Sequence, residues 1–371
     1  MGPRPLLSAA IIVKDEAEFL ATCLASIADV CDELVVVDTG STDDSVEVAR
    51  SFGAVQAVRP WDDDFAAARN AALDLATGQW ILYIDADEQL DRCDPAALRA
   101  ELSAATDAVA LRVWFRTRPI WSPYREFRLW RHRPDIRFVG RIHETMVADI
   151  RRVAEEDGMA IADTDLFRLT HYGYEGDQTA KHRRNLPLLE QRVVELPGRC
   201  YLWNHLGNVR EQLGDIRGAR EAWTTGIELI HANGIVDRTD VLCYSGLSLN
   251  LISDGVDVQS LVSEMQRICP WYRTLDWIAA RNHVVQGRPR QAVPHLVRLV
   301  ETGPDPLDAS LAYNNAMFTD WAWDLLAECQ LDIGDVAGAA ATMTTAAAAR
   351  PDDLGYRAKA TALTARGRRG R

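Results

Sequence analysis

Two carboxylates spaced i, i+2 close the apolar run Ile81-Leu82-Tyr83-Ile84, giving Asp85-Ala86-Asp87-Glu88. Residues i and i+2 of an extended segment point the same way. Two anions so placed repel unless a cation sits between them. Hard divalent ions, Mg²⁺ or Mn²⁺, accept such ligands and bridge them to phosphates. A solvated acidic loop at a strand end is the competing reading. A second acid, Asp38, ends the run Val35-Val36-Val37 and is followed by Thr39-Gly40-Ser41. It suits a base or ribose contact in a nucleotide pocket, or a turn that caps the next helix. In Asp62-Asp63-Asp64-Phe65-Ala66-Ala67-Ala68-Arg69-Asn70, acids precede a helix, where the macrodipole favours them. Arg69 lies one turn inside, placed for a nucleobase or diphosphate, or for pairing with those acids.

The elements that would position these groups alternate in type. Leu7 to Val13, Glu33 to Val37, Ala54 to Val58 and Trp80 to Ile84 read as strands. Asp15 to Ala28, Asp44 to Phe52 (capped by Thr42 or Asp43) and Ala66 to Ala76 read as helices. This βαβαβαβ rhythm predicts a parallel, doubly wound sheet, whose ligands bind at the carboxyl ends of strands. Val109 to Phe115 and Glu126 to Trp130 read as further strands, with Arg137 to Ile142 as another. Helices take over near Gln178.

The second half repeats itself. Trp203, Leu206, Gly207, Gly214, Ala219 and Trp223 form one unit. Trp323, Leu326, Ala327, Gly334, Ala339 and Pro351 form another at matching offsets, and Ala280, Gly287, Ala292, Leu296 and Pro304 fit the same template. Residues 244–270, with Leu247, Gly255 and Pro270, make a degenerate copy. Small residues let paired helices approach, large ones fill the seam, and Gly marks the turn. The basic tail, Ala358 to Arg371, is expected to fray.

A length of 371 residues suits about two domains. A net charge of −13 repels phosphate backbones and argues against nucleic acid as a partner. Seven cysteines without a CxxC pair suggest neither a disulfide framework nor a zinc site, and fit reduced thiols in a cytoplasm. The first residues lack a signal-peptide layout and no apolar run is long enough to span a bilayer, so a cytoplasmic protein without integral membrane contact is expected.

The motifs combine into a resemblance. Ser8-Ala9-Ala10-Ile11-Ile12-Val13-Lys14-Asp15-Glu16, Val37-Asp38-Thr39-Gly40-Ser41-Thr42-Asp43, Ala68-Arg69-Asn70 and Asp85-Ala86-Asp87-Glu88 resemble the glycosyltransferase family 2 domain of the GT-A fold. Asp15 departs from the pattern, where many relatives carry Asn. Phe127-Arg128-Leu129-Trp130-Arg131, Phe138-Val139-Gly140-Arg141-Ile142-His143-Glu144 and Thr170-His171-Tyr172-Gly173-Tyr174 are similar to the subgroup joined to tetratricopeptide repeats, which includes peptide S-glycosyltransferases and lipopolysaccharide-core glucosyltransferases. The resemblance implies a Rossmann-like, mostly parallel α/β domain over residues 1–177 and an all-α repeat domain over 178–371. It implies a nucleoside-diphosphate sugar donor, with a UDP-sugar expected, and Mg²⁺ or Mn²⁺. By position Asp38 would meet the nucleobase, Glu16 and Arg69 the ribose or base, and Asp85 and Asp87 the metal and diphosphate. Donor contact extends to Val13, Lys14, Gly40, Ser41, Asp64, Asn70, Ala86 and Arg128.

An inverting transfer needs a base beside the acceptor, and a carboxylate serves. Glu144, with His143 next to it, is the candidate; a structural carboxylate paired with Arg141 or Arg128 is the alternative. His171 could complete the metal shell, or be a satisfied core or loop histidine. Arg125, Arg128, Arg131, Arg133 and Arg137, interleaved with Trp121, Tyr124 and Trp130, read as a sugar and diphosphate surface, or as a salt-bridged hairpin. The expected activity is transfer of a sugar to a hydroxyl or thiol of a peptide, glycan or small molecule. The repeat domain would dock the acceptor or pair two copies into a homodimer. The competing class is a non-catalytic repeat scaffold with a degenerate nucleotide-sugar domain. A nucleotidylyltransferase would want a Gly- and Arg/Lys-rich loop after the first strand, where Lys14-Asp15-Glu16 stands. A processive polysaccharide synthase would want membrane spans and a Gln-x-x-Arg-Trp motif.

Overall fold

The computed structural model describes residues 4–91, 93–173, 178–303 and 309–369. Tyr174, Pro304 and the last two residues of the basic tail lie outside them. The chain divides into two units. The first comprises 4–119, 123–196 and 309–312, and the second 120–122, 197–303 and 313–369.

The first unit opens with β1 (Leu7–Val13), α1 (Ala17–Ile27), β2 (Glu33–Asp38), α2 (Ser45–Ser51), β3 (Val55–Val58), α3 (Phe65–Leu75) and β4 (Trp80–Tyr83). It continues through β5 (Glu88–Leu90), α4 (Pro95–Ala104), β6 (Ala108–Arg116), β7 (Tyr124–Arg131), α5 (Val147–Glu156), β8 (Ala160–His171) and α6 (Thr179–Glu195). One sheet runs β3-β2-β1-β4-β7-β6-β8-β5. The first four strands are parallel. β1 and β2 pair from Ser8 opposite Glu33 to Val13 opposite Asp38. The sheet grows to one side of β1 and then the other, so the switch point lies between β1 and β4, the place where α/β sheets open a crevice. Helices cover both faces. Leu20, Leu24, Ile27, Leu98 and Leu102 pack under one; Ala66, Leu73, Ile150 and Val153 pack under the other.

The sheet is mixed rather than parallel throughout. β7 runs antiparallel to β4 and β6, and β5 antiparallel to β8, while β6 and β8 are parallel. The connection from Arg116 to Tyr124 is too short for the crossover a parallel pair requires. Arg137 to Ile142 is a loop, not a strand. Gly140 takes φ +113°, and the one bridge there joins Val139 to Thr145. The same loop meets α6: the buried Arg192 of that helix lies against Gly140, and the helix falls in the first unit. Asp44, not Thr42 or Asp43, precedes α2, although Asp43 accepts from Ser45 N at 3.0 Å.

The second unit is helical: α7 (Cys200–Gln212), α8 (Ile216–Asn233), α9 (Leu242–Ser253), α10 (Gln259–Ile268), α11 (Thr274–Val285), α12 (Pro289–Thr302), α13 (Asp320–Asp332), α14 (Val336–Ala349) and α15 (Leu354–Arg369). The four sequence repeats are four helix pairs. Their turn glycines, Gly214, Gly255, Gly287 and Gly334, all have φ between +67° and +86°. Gly207 and Gly246 are small because the Trp223 indole occupies the space a Cβ would need. Over its described residues the tail is helical up to Arg369. α15 lays Tyr356 edge-on to Trp323, 5.9 Å between centroids, and packs Ala360 and Leu363 on the same cluster. It caps the last pair. Gly334→Ala is expected to cost about 1–2 kcal/mol through its left-handed backbone alone, because no atom would crowd the new Cβ. Chemical denaturation measures it; an unchanged midpoint would contradict that turn geometry.

Among the described residues no helix is long and apolar enough to cross a membrane. All seven cysteines are free thiols.

Candidate active site

The acids singled out in the sequence gather at the carboxyl ends of β1, β2 and β4. β1 ends in the buried Val13, whose carbonyl accepts from Thr39 N at 2.9 Å and Thr39 Oγ1 at 3.0 Å. Lys14 is exposed and Glu16 half-buried. Asp15 takes φ +53°, a conformation that Asp and Asn tolerate better than most residues. Its carboxylate accepts from Thr42 N at 2.6 Å, while its own N–H donates to Ser41 Oγ at 2.9 Å. The two loops are thereby laced together. Asp38, 6% exposed, accepts from Gly40 N at 3.0 Å and Ser41 N at 3.1 Å, which fixes the turn.

Beyond β4 the chain turns tightly. Glu88 N donates to Asp85 O and Asp85 N to Glu88 Oε2, both at 3.0 Å, with Ala86 buried between. Asp85 forms an ion pair with Arg69 at 2.7 Å and accepts from the Tyr83 hydroxyl at 3.3 Å. Asp87 instead meets His171 Nε2 at 3.0 Å. His171 reaches it because β5 and β8 pair Glu88 opposite His171. Gly173 is small for the same reason: a Cβ there would strike the Asp87 carboxylate.

Behind this rim lies a buried layer of alternating charge. Arg69, 8% exposed, pairs with both Asp85 and Glu144 and stacks on Tyr83 at 4.3 Å and Phe138 at 5.7 Å. Arg128, 5% exposed, grips Glu88 with two hydrogen bonds, 2.8 and 3.0 Å, and also lies over Tyr83. Burial pushes the Glu88 carboxyl up to about 7 against the pull of Arg128. Burial likewise raises Glu144 despite Arg69. For Asp85 burial also pushes upward, but Arg69 and Arg128 more than offset it, so its carboxyl sits below the usual range. Burial and the charge of Asp87 raise Glu16.

Several expected donor contacts are otherwise engaged. Asp64 caps α3, accepting from Ala67 N at 2.9 Å. Asn70 uses both ends of its amide on the Phe138 backbone, at 3.0 Å each, and so pins the loop that carries Glu144. Arg69 and Arg128 are buried behind the acids rather than open to a nucleotide. Glu144 pairs with Arg69, not with Arg141 or Arg128. His143 beside it takes φ +48°. The arginine patch is not one surface: Arg125 meets Asp165, Arg133 meets Asp135 and Asp157, and Arg137 meets Asp74, while Arg131 stacks on Trp80. Tyr83, Glu88 and Phe138 stand in the motifs but received no role of their own there. Glu88 directly follows the acidic pair, and its position was the available signal.

Asp87 and His171 can serve a divalent ion. Among the described residues no three ligating side chains converge. Mg²⁺ sites that bind substrate phosphates nevertheless need only one or two protein carboxylates, and a histidine suits Mn²⁺. The residues therefore fit an ion whose shell a diphosphate completes. Asp85, expected as a ligand, has its oxygens turned to Arg69 and Tyr83.

Residues 8–149 match the family model described as glycosyl transferase family 2. A TPR repeat-containing protein of Synechococcus elongatus is 38% identical over 228 residues, 60% of this chain and 56% of that protein. The SPbeta prophage-derived glycosyltransferase SunS of Bacillus subtilis is 28% identical over 199 residues, 51% of this chain and 45% of that one. This chain thus spans about half the length of these relatives. A solved structure of glucosyl-3-phosphoglycerate synthase from Mycobacterium tuberculosis, with Mn²⁺, UDP and glucosyl-3-phosphoglycerate, matches at 16% identity and a TM-score of 0.39, over 50% of this chain and 78% of that one. Residues 8–149 of this chain thus match glycosyl transferase family 2, and a region of paired helices follows in the sequence.

Proposed function

We propose that this chain transfers a sugar from a nucleoside-diphosphate sugar, a UDP-sugar in the first instance, to a hydroxyl or thiol acceptor with inversion. The observation that carries this reading is the pairing of Asp87, in the turn that follows β4, with His171 at the end of β8, 3.0 Å apart. Asp87 and His171 would hold Mg²⁺ or Mn²⁺, which would supply positive charge toward the departing diphosphate. Asp38 keeps acceptor capacity, after its two backbone contacts, for a nucleobase N–H. Glu144 takes the acceptor's proton, and its burial raises its affinity for it. The paired helices of the second unit dock the acceptor or a second copy.

The test is release of nucleoside diphosphate from UDP-, GDP-, dTDP- and CDP-sugars with Mn²⁺, Mg²⁺ or EDTA. Metal-dependent release from one donor supports the enzyme. Neither release nor donor binding would favour the scaffold. The ion pair with Arg69 favours a second reading of Glu144, as a structural partner only. Glu144→Gln separates them, since its amide oxygen still accepts from Arg69. As a base, Glu144 gives a rate that rises with pH as its carboxyl ionises, above the ordinary carboxylate range. Glu144→Gln would then lower transfer by about 10²–10⁴-fold with donor affinity intact. Full activity in that variant would leave the structural role.

A further inference from the structure

We infer that Glu88 and Arg128, which touch no donor in the reading above, are positioning residues for Asp87 and His171. The inference rests on that reading of the site. Glu88 is 1% exposed and stands where three constraints meet. Its carboxylate accepts from Asp85 N while its own N–H donates to Asp85 O, so it closes the Asp85–Glu88 turn from both ends. Its backbone pairs with His171 across β5 and β8. Its two oxygens take the fork of Arg128.

Arg128 is fixed in turn. It projects from β7, and its guanidinium lies 4.2 Å from the Tyr83 centroid and 4.4 Å from that of Phe115. A planar fork locked between rings and a carboxylate has little freedom left. The rigidity passes along one chain of contacts, from Arg128 to Glu88 and from Glu88 to both flanks of Asp87. One flank is the Asp85 turn. The other is the β8 end, where Tyr172 N donates to Asp87 O at 2.9 Å and His171 meets the Asp87 carboxylate.

A stability role alone accounts poorly for this pair. Buried ion pairs are often matched or bettered by apolar residues of similar volume, so their retention is weak evidence for stability. Groups that orient ligating side chains, by contrast, govern metal affinity, and their loss typically weakens it 10–100-fold. The short strand β5 has three residues, paired with β8 from Glu88 opposite His171 to Leu90 opposite Leu169. Glu88 adds a side-chain anchor to that ladder through Arg128 and Asp85 N.

The experiment titrates the full-length chain with Mn²⁺ in the presence of UDP, by calorimetry, and repeats this for Glu88→Gln and Arg128→Lys. Each variant is expected to raise the Mn²⁺ concentration for half-saturation about 10–100-fold. The two changes together should cost no more than either alone, because the residues act as one unit. In the donor assay kcat at saturating Mn²⁺ stays within a few-fold of the unmodified chain. If a single variant fails to fold, Glu88→Leu with Arg128→Met removes both buried charges and keeps the volume. Folded variants with unchanged half-saturation and a lowered Tm would overturn the inference and leave a structural pair. An unmodified chain that binds no Mn²⁺ with UDP would sink the functional reading, and the inference with it; the two failures are therefore distinguishable.

Discussion

Asp87→Ala is expected to reduce donor turnover by about 10²–10³-fold, the usual cost of losing one preorganised group that faces developing charge. The magnitude follows from how few protein groups reach this point. Asp85 is turned toward Arg69 and Tyr83. In the proposed reaction that leaves Asp87 and His171 as the pair for the ion and diphosphate. Removing the carboxylate leaves a single neutral imidazole, too weak to hold a hard ion against water. The loss should appear as a higher Mn²⁺ requirement and as a lower rate at saturating donor. Asp87→Asn should behave similarly, because it keeps shape but not charge. The fold should survive: Asp87 lies at the rim, and the bond its carbonyl accepts from Tyr172 N is a backbone one. Calorimetry of Mn²⁺ with UDP, alongside the release assay, checks both parts. Turnover within three-fold of the unmodified chain would remove Asp87 from the ion site.

Much of the first unit was legible because it depends on local pattern. β1 is apolar on both faces, since helices cover both, and it appears where the run Leu7 to Val13 predicts it. The turn glycines of the repeats were legible for a similar reason: a left-handed residue every helix pair leaves a periodic trace. Elements set by pairing were not. β8 carries Asp163, Asp165 and Arg168 and lacks the apolar run of a buried strand; its partners on β6 define it. Arg137 to Ile142 has strand-like composition, but Asn70 claims the Phe138 backbone and bends it away. The site divides along the same line. Asp38, Asp85 and Asp87 end predicted strands, so topology alone brings them together. Asn70 and Arg128 were read as ligand contacts because polar side chains near a motif look alike in sequence. In the fold the Asn70 amide holds the Phe138 backbone, and two nitrogens of Arg128 hold Glu88. Glu88 was passed over because nothing local distinguishes a buried carboxylate from a solvated one beside two other acids.

Arg69 carries the largest expected effect on stability. Its guanidinium is the shared partner of Asp85 and Glu144, and its plane rests on Tyr83 and Phe138. Arg69→Met keeps much of the apolar contact but leaves two carboxylates facing a desolvated layer. Breaking a buried pair by removing one partner costs about 3–5 kcal/mol. The cost should depend on pH in a defined direction. Burial already raises Glu144, and in the unmodified chain the arginines hold Asp85 below the usual range. Without Arg69 both carboxyls rise above their unfolded values. The folded chain then keeps protons that the unfolded chain releases, so stability falls as pH rises from the ordinary carboxylate range toward the raised values. The penalty should accordingly be small near pH 4 and full by pH 8. Because the chain has two units, the measurement must report on the first alone. Hydrogen exchange of peptides from α3 and β4, at several urea concentrations and two pH values, does so. A variant within about 1 kcal/mol of the unmodified chain at pH 8, with no trend toward acid, would mean that the two carboxylates find other partners. Arg69 would then be a stacking residue, and the charge layer would not depend on it.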